Sequence, residues 1–94
     1  LLDNANEVGS YAIGKLRELQ QKQPKIKEVR GVGLMIGVEL SIPGTPVYRK
    51  CIDKGMLINC THDTVLRIMP ALTVTKAEID EGLAILTAAL EEVS

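Results

Sequence analysis

From residue 32 to residue 40 every second side chain is a branched aliphatic: Val32, Leu34, Ile36, Val38 and Leu40. Gly33, Met35, Gly37 and Glu39 take the positions between. A period of two cannot bury one face of a helix, so the segment predicts a strand with one face on a core. Gly33 and Gly37, on the other face, would let a second backbone approach closely. A strand this one-sided needs partners beside it and helices over it.

The flanking segments supply them. Ala5, Val8, Ala12, Leu16 and Leu19 recur at spacings of three and four, which predicts an amphipathic helix over residues 2–21, ended by Pro24. Gly9 and Gly14 each weaken that helix by about 1 kcal/mol relative to Ala. Residues 41–46 (SIPGTP) form a connector in which Thr45 is expected to cap a short helix with Pro46 at its first position. Gly55 should end it in the left-handed conformation, with Val47, Cys51 and Ile52 as its buried stripe. Residues 56–60 then predict a second strand, 61–64 a tight connection and 65–69 a third strand. Thr75 and Glu78 match a capping box, followed by an apolar stripe of Ile79, Leu83, Leu86, Leu90 and Val93.

The element order is therefore α-β-α-β-β-α, an α/β chain in the α+β two-layer sense. It implies a small three-stranded mixed or antiparallel sheet with helices on one face. Strand, helix, strand reads as a right-handed crossover. The third strand should return antiparallel to the second, as its hairpin partner or inserted between the other two. Residues 1–94 suffice for one domain. With 46% hydrophobic residues, no Phe or Trp, and only Tyr11 and Tyr48, the core must be aliphatic.

That lack of aromatic faces argues against single-stranded nucleic acid as a ligand. A net charge of -1 gives no electrostatic footprint for nucleic acid or an acidic membrane. No run approaches the ~18 apolar residues of a membrane span. Cys51 and Cys60 belong to no Cys/His cluster, so free cytosolic thiols are expected and no metal site. The chain starts at Leu1 and not at Met, which suggests a piece of a longer, cytoplasmic polypeptide.

Chemistry concentrates in residues 65–72, VLRIMPAL, where Arg67 sits inside an apolar strand that stops at Pro70. Alternation puts Leu66 and Ile68 on one face and Val65, Arg67 and Met69 on the other. Spacing alone is satisfied by an arginine whose stem lies on Val65 and Met69 with its head in solvent. The alternative is a planar fork that binds a carboxylate through two parallel hydrogen bonds. His62 could act as a base, but a turn histidine without a visible acidic or nucleophilic partner reads as solvated. Glu39 sits at a strand end, where a structural salt bridge or contact with solvent is the default. Residues 41–45 lack the glycine spacing of a phosphate cradle. Lys15, Arg17, Lys22, Lys25 and Lys27 alternate with Glu18 and Glu28 as a solvated face. No catalytic, cofactor-binding or metal constellation is visible, so the chain alone carries no complete active site.

Taken together, VRGVGLMIGVEL (29–40), GMLINCTHDTVLRIMPALTVTKAEID (55–80) and the closing helix resemble the small C-terminal domain of class III pyridoxal-phosphate aminotransferases. The resemblance covers nearly the whole chain. One departure is visible: Pro70-Ala71 stands where the family usually has two prolines. The resemblance implies pyridoxal phosphate bound covalently by a lysine of a large domain that is not in this sequence. It implies amino-group transfer from N-acetylornithine to 2-oxoglutarate in arginine biosynthesis, within a homodimer. It puts the family's substrate-carboxylate arginine on Arg67, and it implies exposed apolar surface opposite the helices, facing the large domain. N-succinylornithine, ornithine and 4-aminobutyrate stay open as donors. The rival reading is a free-standing amino-acid-binding or interaction module in which Arg67 holds a carboxylate without chemistry.

Overall fold

The computed structural model describes residues 2–55, 58–70 and 74–93. Three helices lie over one face of a four-stranded sheet, in the order α1 (Leu2–Lys22), β1 (Ile26–Val32), β2 (Met35–Leu40), α2 (Thr45–Asp53), β3 (Asn59–Thr61), β4 (Val65–Ile68) and α3 (Lys76–Glu92). The strands run β1-β2-β4-β3, and each neighbouring pair is antiparallel. β4 thus lies between the parallel pair β2 and β3, and is also the hairpin partner of β3. Both arrangements open to the sequence are realised at once.

The two-layer α+β class holds, but the sheet has four strands and not three. What the alternation presented as one strand is a hairpin, because Gly33 adopts φ 58 at the first of two connecting residues. Val32 pairs with Met35 across that turn. Directly paired residues share a face, so parity inverts between β1 and β2. Val32 is therefore 84% exposed, while Ile36, Val38 and Leu40 are buried. Leu34 is buried from within the turn itself, which is why the apolar rhythm runs through it unbroken. A bulge between Ile26 and Glu28 puts Val29, opposite Val38, back on the inner face.

The core is aliphatic throughout. Leu16, Val38, Leu40, Val47, Cys51, Leu66, Leu86 and Leu90 are its largest fully enclosed side chains. Each such Leu or Val contributes about 1.5–3 kcal/mol through burial. α1 buries Ala5, Val8, Ala12 and Leu16, the stripe expected from spacing. α3 carries the full capping box: Thr75 Oγ1 accepts from the Glu78 amide at 3.2 Å, and Glu78 Oε1 accepts from the Thr75 amide at 3.0 Å.

Four details depart from expectation. The N-cap of α2 is Gly44, with no side-chain cap, and Thr45 is already helical. Ile52 is 37% exposed, so the buried stripe of α2 is Val47 and Cys51. Lys25 is not simply solvated: its Nζ donates to Leu90 O at 2.5 Å and also to Val93 O, capping the C-terminal end of α3. Gly55 ends α2 at φ 95 as expected. The second strand begins later than expected, at Asn59; Met56 and Leu57 lie outside the described residues, as do Ala71 to Thr73.

Candidate functional site

Pairing across the sheet aligns Arg30, Gly37, Arg67 and Asn59 in one row on the face away from the helices. Arg67 is exposed there, while its neighbours Leu66 and Ile68 are buried beneath it. Gly37, directly opposite on β2, has no side chain to fill the space beside the guanidinium. The result is an open concavity of about 280 Å³ lined by Met35, Gly37, Thr61, His62, Arg67 and Met69. Its lining is mixed: two thioethers, a hydroxyl, an imidazole and a guanidinium.

Among the described residues Arg67 makes one side-chain hydrogen bond, a weak one from Nη2 to Met69 Sδ at 3.8 Å. Among the described residues no carboxylate pairs with it. The carboxylate on the next outer-face position of β2, Glu39, is already engaged. It accepts from Arg30 Nη2 at 3.2 Å and lies 3.5 Å from Lys27 Nζ. Arg30 also bridges to Glu28 at 3.2 Å. Glu39 thus has the structural role expected of it, and its occupation leaves the fork of Arg67 open to an external anion.

His62 and Asp63 connect β3 to β4 with φ 51 and 62, both left-handed. That region costs an L-residue about 1–2 kcal/mol, and His and Asp are among the non-glycine types that enter it most often. Backbone hydrogen bonds hold the turn. Gly44 N donates to Asp63 O at 2.6 Å, Leu40 N to Thr64 O at 2.8 Å, and Thr64 N to His62 O at 2.7 Å. The 41–45 connector, an ordinary loop by sequence, therefore anchors the turn. A Cβ at Gly44 would lie 2.9 Å from Cys60 Sγ and 3.2 Å from Asp63 O, so any larger residue there has to displace its neighbours. The partners of Glu39 and this tie had no sequence signal, because both depend on long-range register.

The two cysteines are free and differ in surroundings. Burial pushes the Cys51 thiol up to about 11, against a small opposing pull from Lys54. An unfolded chain ionises this thiol near its ordinary value of 9.0. The stability Cys51 contributes is therefore full below pH 9 and is lost as pH rises towards 11. At pH 8 a thiol reagent is expected to label partly exposed Cys60 and spare Cys51 until the chain unfolds. Equal labelling rates in the folded protein would contradict this placement of Cys51.

Comparison with known proteins sets these features in a family. The model of the aminotransferase class-III family matches residues 1–90. An acetylornithine aminotransferase of Methanocaldococcus jannaschii is 54% identical over 78 residues, covering 83% of this chain and 20% of that protein. An ornithine aminotransferase of Geobacillus sp. is 50% identical over 80 residues, covering 85% of this chain and again 20% of the relative. Among solved structures, an ornithine aminotransferase of Toxoplasma gondii superposes with TM-score 0.82 at 33% identity, over 94% of this chain and 22% of that one. This chain thus spans about a fifth of the length of the proteins it matches.

Proposed function

This chain belongs to the class-III aminotransferases, and on that premise we propose that it is the small C-terminal domain of a pyridoxal-phosphate-dependent aminotransferase, with Arg67 as the grip for the substrate's carboxylate. The observation that carries the reading is the guanidinium of Arg67, which has no carboxylate partner among the described residues and shares its concavity with Gly37, Met35 and Met69. A planar fork suits a carboxylate, and thioether walls suit the short aliphatic chain of an amino acid. Val32, Met35 and Met69 are 84%, 63% and 53% exposed on the same side of the sheet, which suits a face that docks on a larger domain.

In this reading Arg67 fixes the acid end of the substrate and so sets the direction of its amino group and Cα–H, and this positioning would supply part of the rate. Arg30 and Lys27 contribute by keeping Glu39 from competing for the fork. Pyridoxal phosphate, when bound, supplies the electron sink for amino-group transfer. No lysine lines the concavity, so the described residues do not fit this cofactor and its hold is assigned to the rest of the polypeptide. We further propose a cytoplasmic homodimer that takes N-acetylornithine as donor and 2-oxoglutarate as acceptor. Among the described residues no helix is long and apolar enough to cross a membrane. Ornithine is the second donor to weigh, since a relative of that name is 50% identical.

The test is a donor panel on the complete polypeptide, supplied with pyridoxal phosphate and 2-oxoglutarate. N-acetylornithine should yield glutamate with a kcat/KM at least about tenfold above that for ornithine, a gap of about 1.4 kcal/mol in transition-state binding. The reverse order would reassign the donor. No glutamate from either, nor from N-succinylornithine or 4-aminobutyrate, would overturn the proposed activity.

A further inference from the structure

His62 lies in the wall of the Arg67 concavity, and nothing in the proposed role of Arg67 requires a histidine there. We propose that His62 is a second ligand-contacting residue of this site, its imidazole N–H donating to the carboxylate that Arg67 holds. The inference rests on the reading of Arg67 as a carboxylate grip and adds to it a specificity residue.

Three observations converge on it. The first is position: His62 lines the same concavity as Arg67, with Thr61 and Val65 between them on the outer face of the β3–β4 hairpin. The second is constraint. His62 and Asp63 are both left-handed, so the imidazole leaves the chain in a direction an extended backbone would not give. The turn is fixed to β2 and to the connector by the amides of Leu40 and Gly44, so that direction is set by the fold. The third is chemistry. An imidazole carries at least one N–H whichever tautomer it adopts. A carboxylate has about four lone-pair sites, of which a bidentate guanidinium uses two, so a further donor can be taken by the same group.

The connector therefore acts on the site without touching it. Gly44 admits the turn because it has no Cβ to meet Cys60 Sγ and Asp63 O. A side chain at position 44 would push the 62–64 turn away and withdraw the imidazole from the ligand.

The test uses the complete polypeptide, labelled with ¹⁵N at arginine and histidine and titrated with 2-oxoglutarate at constant ionic strength. The expected dissociation constant is millimolar, as befits a few contacts in an open site. The side-chain resonances of Arg67 and His62 should shift together along one saturation curve. Movement of Arg67 without His62 overturns the present inference and leaves the Arg67 reading standing. Stillness of both overturns the carboxylate reading and this inference with it. His62→Leu should weaken binding about threefold to tenfold, whereas His62→Gln, which keeps an N–H donor, should bind within about twofold of the parent. Parental affinity in His62→Leu would refute a donor role. Gly44→Ala should weaken binding in the parent and add nothing further in the His62→Leu background, because both act on one contact. Additive losses would instead mean that Gly44 acts elsewhere.

Discussion

Replacing Arg67 by Ala in the complete enzyme is expected to lower kcat/KM for the amino donor about ten- to a hundredfold, the loss of about 1.5–3 kcal/mol of charge-assisted hydrogen bonding. The fold should barely notice. Arg67 is exposed and, among the described residues, hydrogen-bonds to Met69 Sδ alone and forms no ion pair. Surface substitutions of that kind stay within about 0.5 kcal/mol of the parent. A large loss of activity with an unmoved melting temperature is thus the signature of a binding role. Arg67→Lys should recover only part of the loss, since an ammonium offers a point charge and not a two-pronged fork. Steady-state kinetics with N-acetylornithine and with 2-oxoglutarate, beside thermal melts of each variant, make the measurement. An unchanged kcat/KM in Arg67→Ala would remove this residue from the site.

The prominence of Arg67 was visible in sequence because strand alternation needs only nearest neighbours: Leu66 and Ile68 point one way, so Arg67 points the other. What makes the position chemically available was not visible. Gly37 lies opposite Arg67 only because β4 pairs with β2 across the α2 crossover. Glu39 is withdrawn from competition only because β1 brings Arg30 and Lys27 to it. Both facts are long-range registers that no local pattern encodes. The helices were more legible, since a stripe such as Ala5, Val8, Ala12 and Leu16 and a box such as Thr75 and Glu78 are complete within one segment. The β1–β2 hairpin was hidden for a related reason. Leu34 is buried inside its turn and Gly33 stands without an Asn or Asp beside it, so neither composition nor rhythm marked the reversal.

Gly9 and Gly14 look equivalent in sequence, each a helix-weakening glycine in α1, and they are expected to respond to alanine with opposite sign. A Cβ on Gly9 would lie 2.1 Å from Gly33 O and 2.5 Å from Gly33 C. Those are backbone atoms of the β1–β2 turn, held by hairpin pairing and by the left-handed φ of Gly33, so no side chain can swing aside. Relief requires α1 to lift from the sheet along the stripe that buries Val8 and Ala12. Overpacking of this kind costs about 1–3 kcal/mol and more where backbone must move, against which the alanine gains about 1 kcal/mol of helix propensity. Gly9→Ala should therefore lose about 2 kcal/mol net, and melt roughly 8–16 °C lower for a domain of this size. Around Gly14 an added Cβ meets nothing within 4 Å. Gly14→Ala should keep the propensity term and gain about 0.5–1 kcal/mol, raising the melting temperature by several degrees. Urea titrations of the two variants decide the matter, since the slope should hold while the midpoints move apart. Shifts of the same sign would mean that the helix–turn contact is not what sets how closely α1 approaches the sheet.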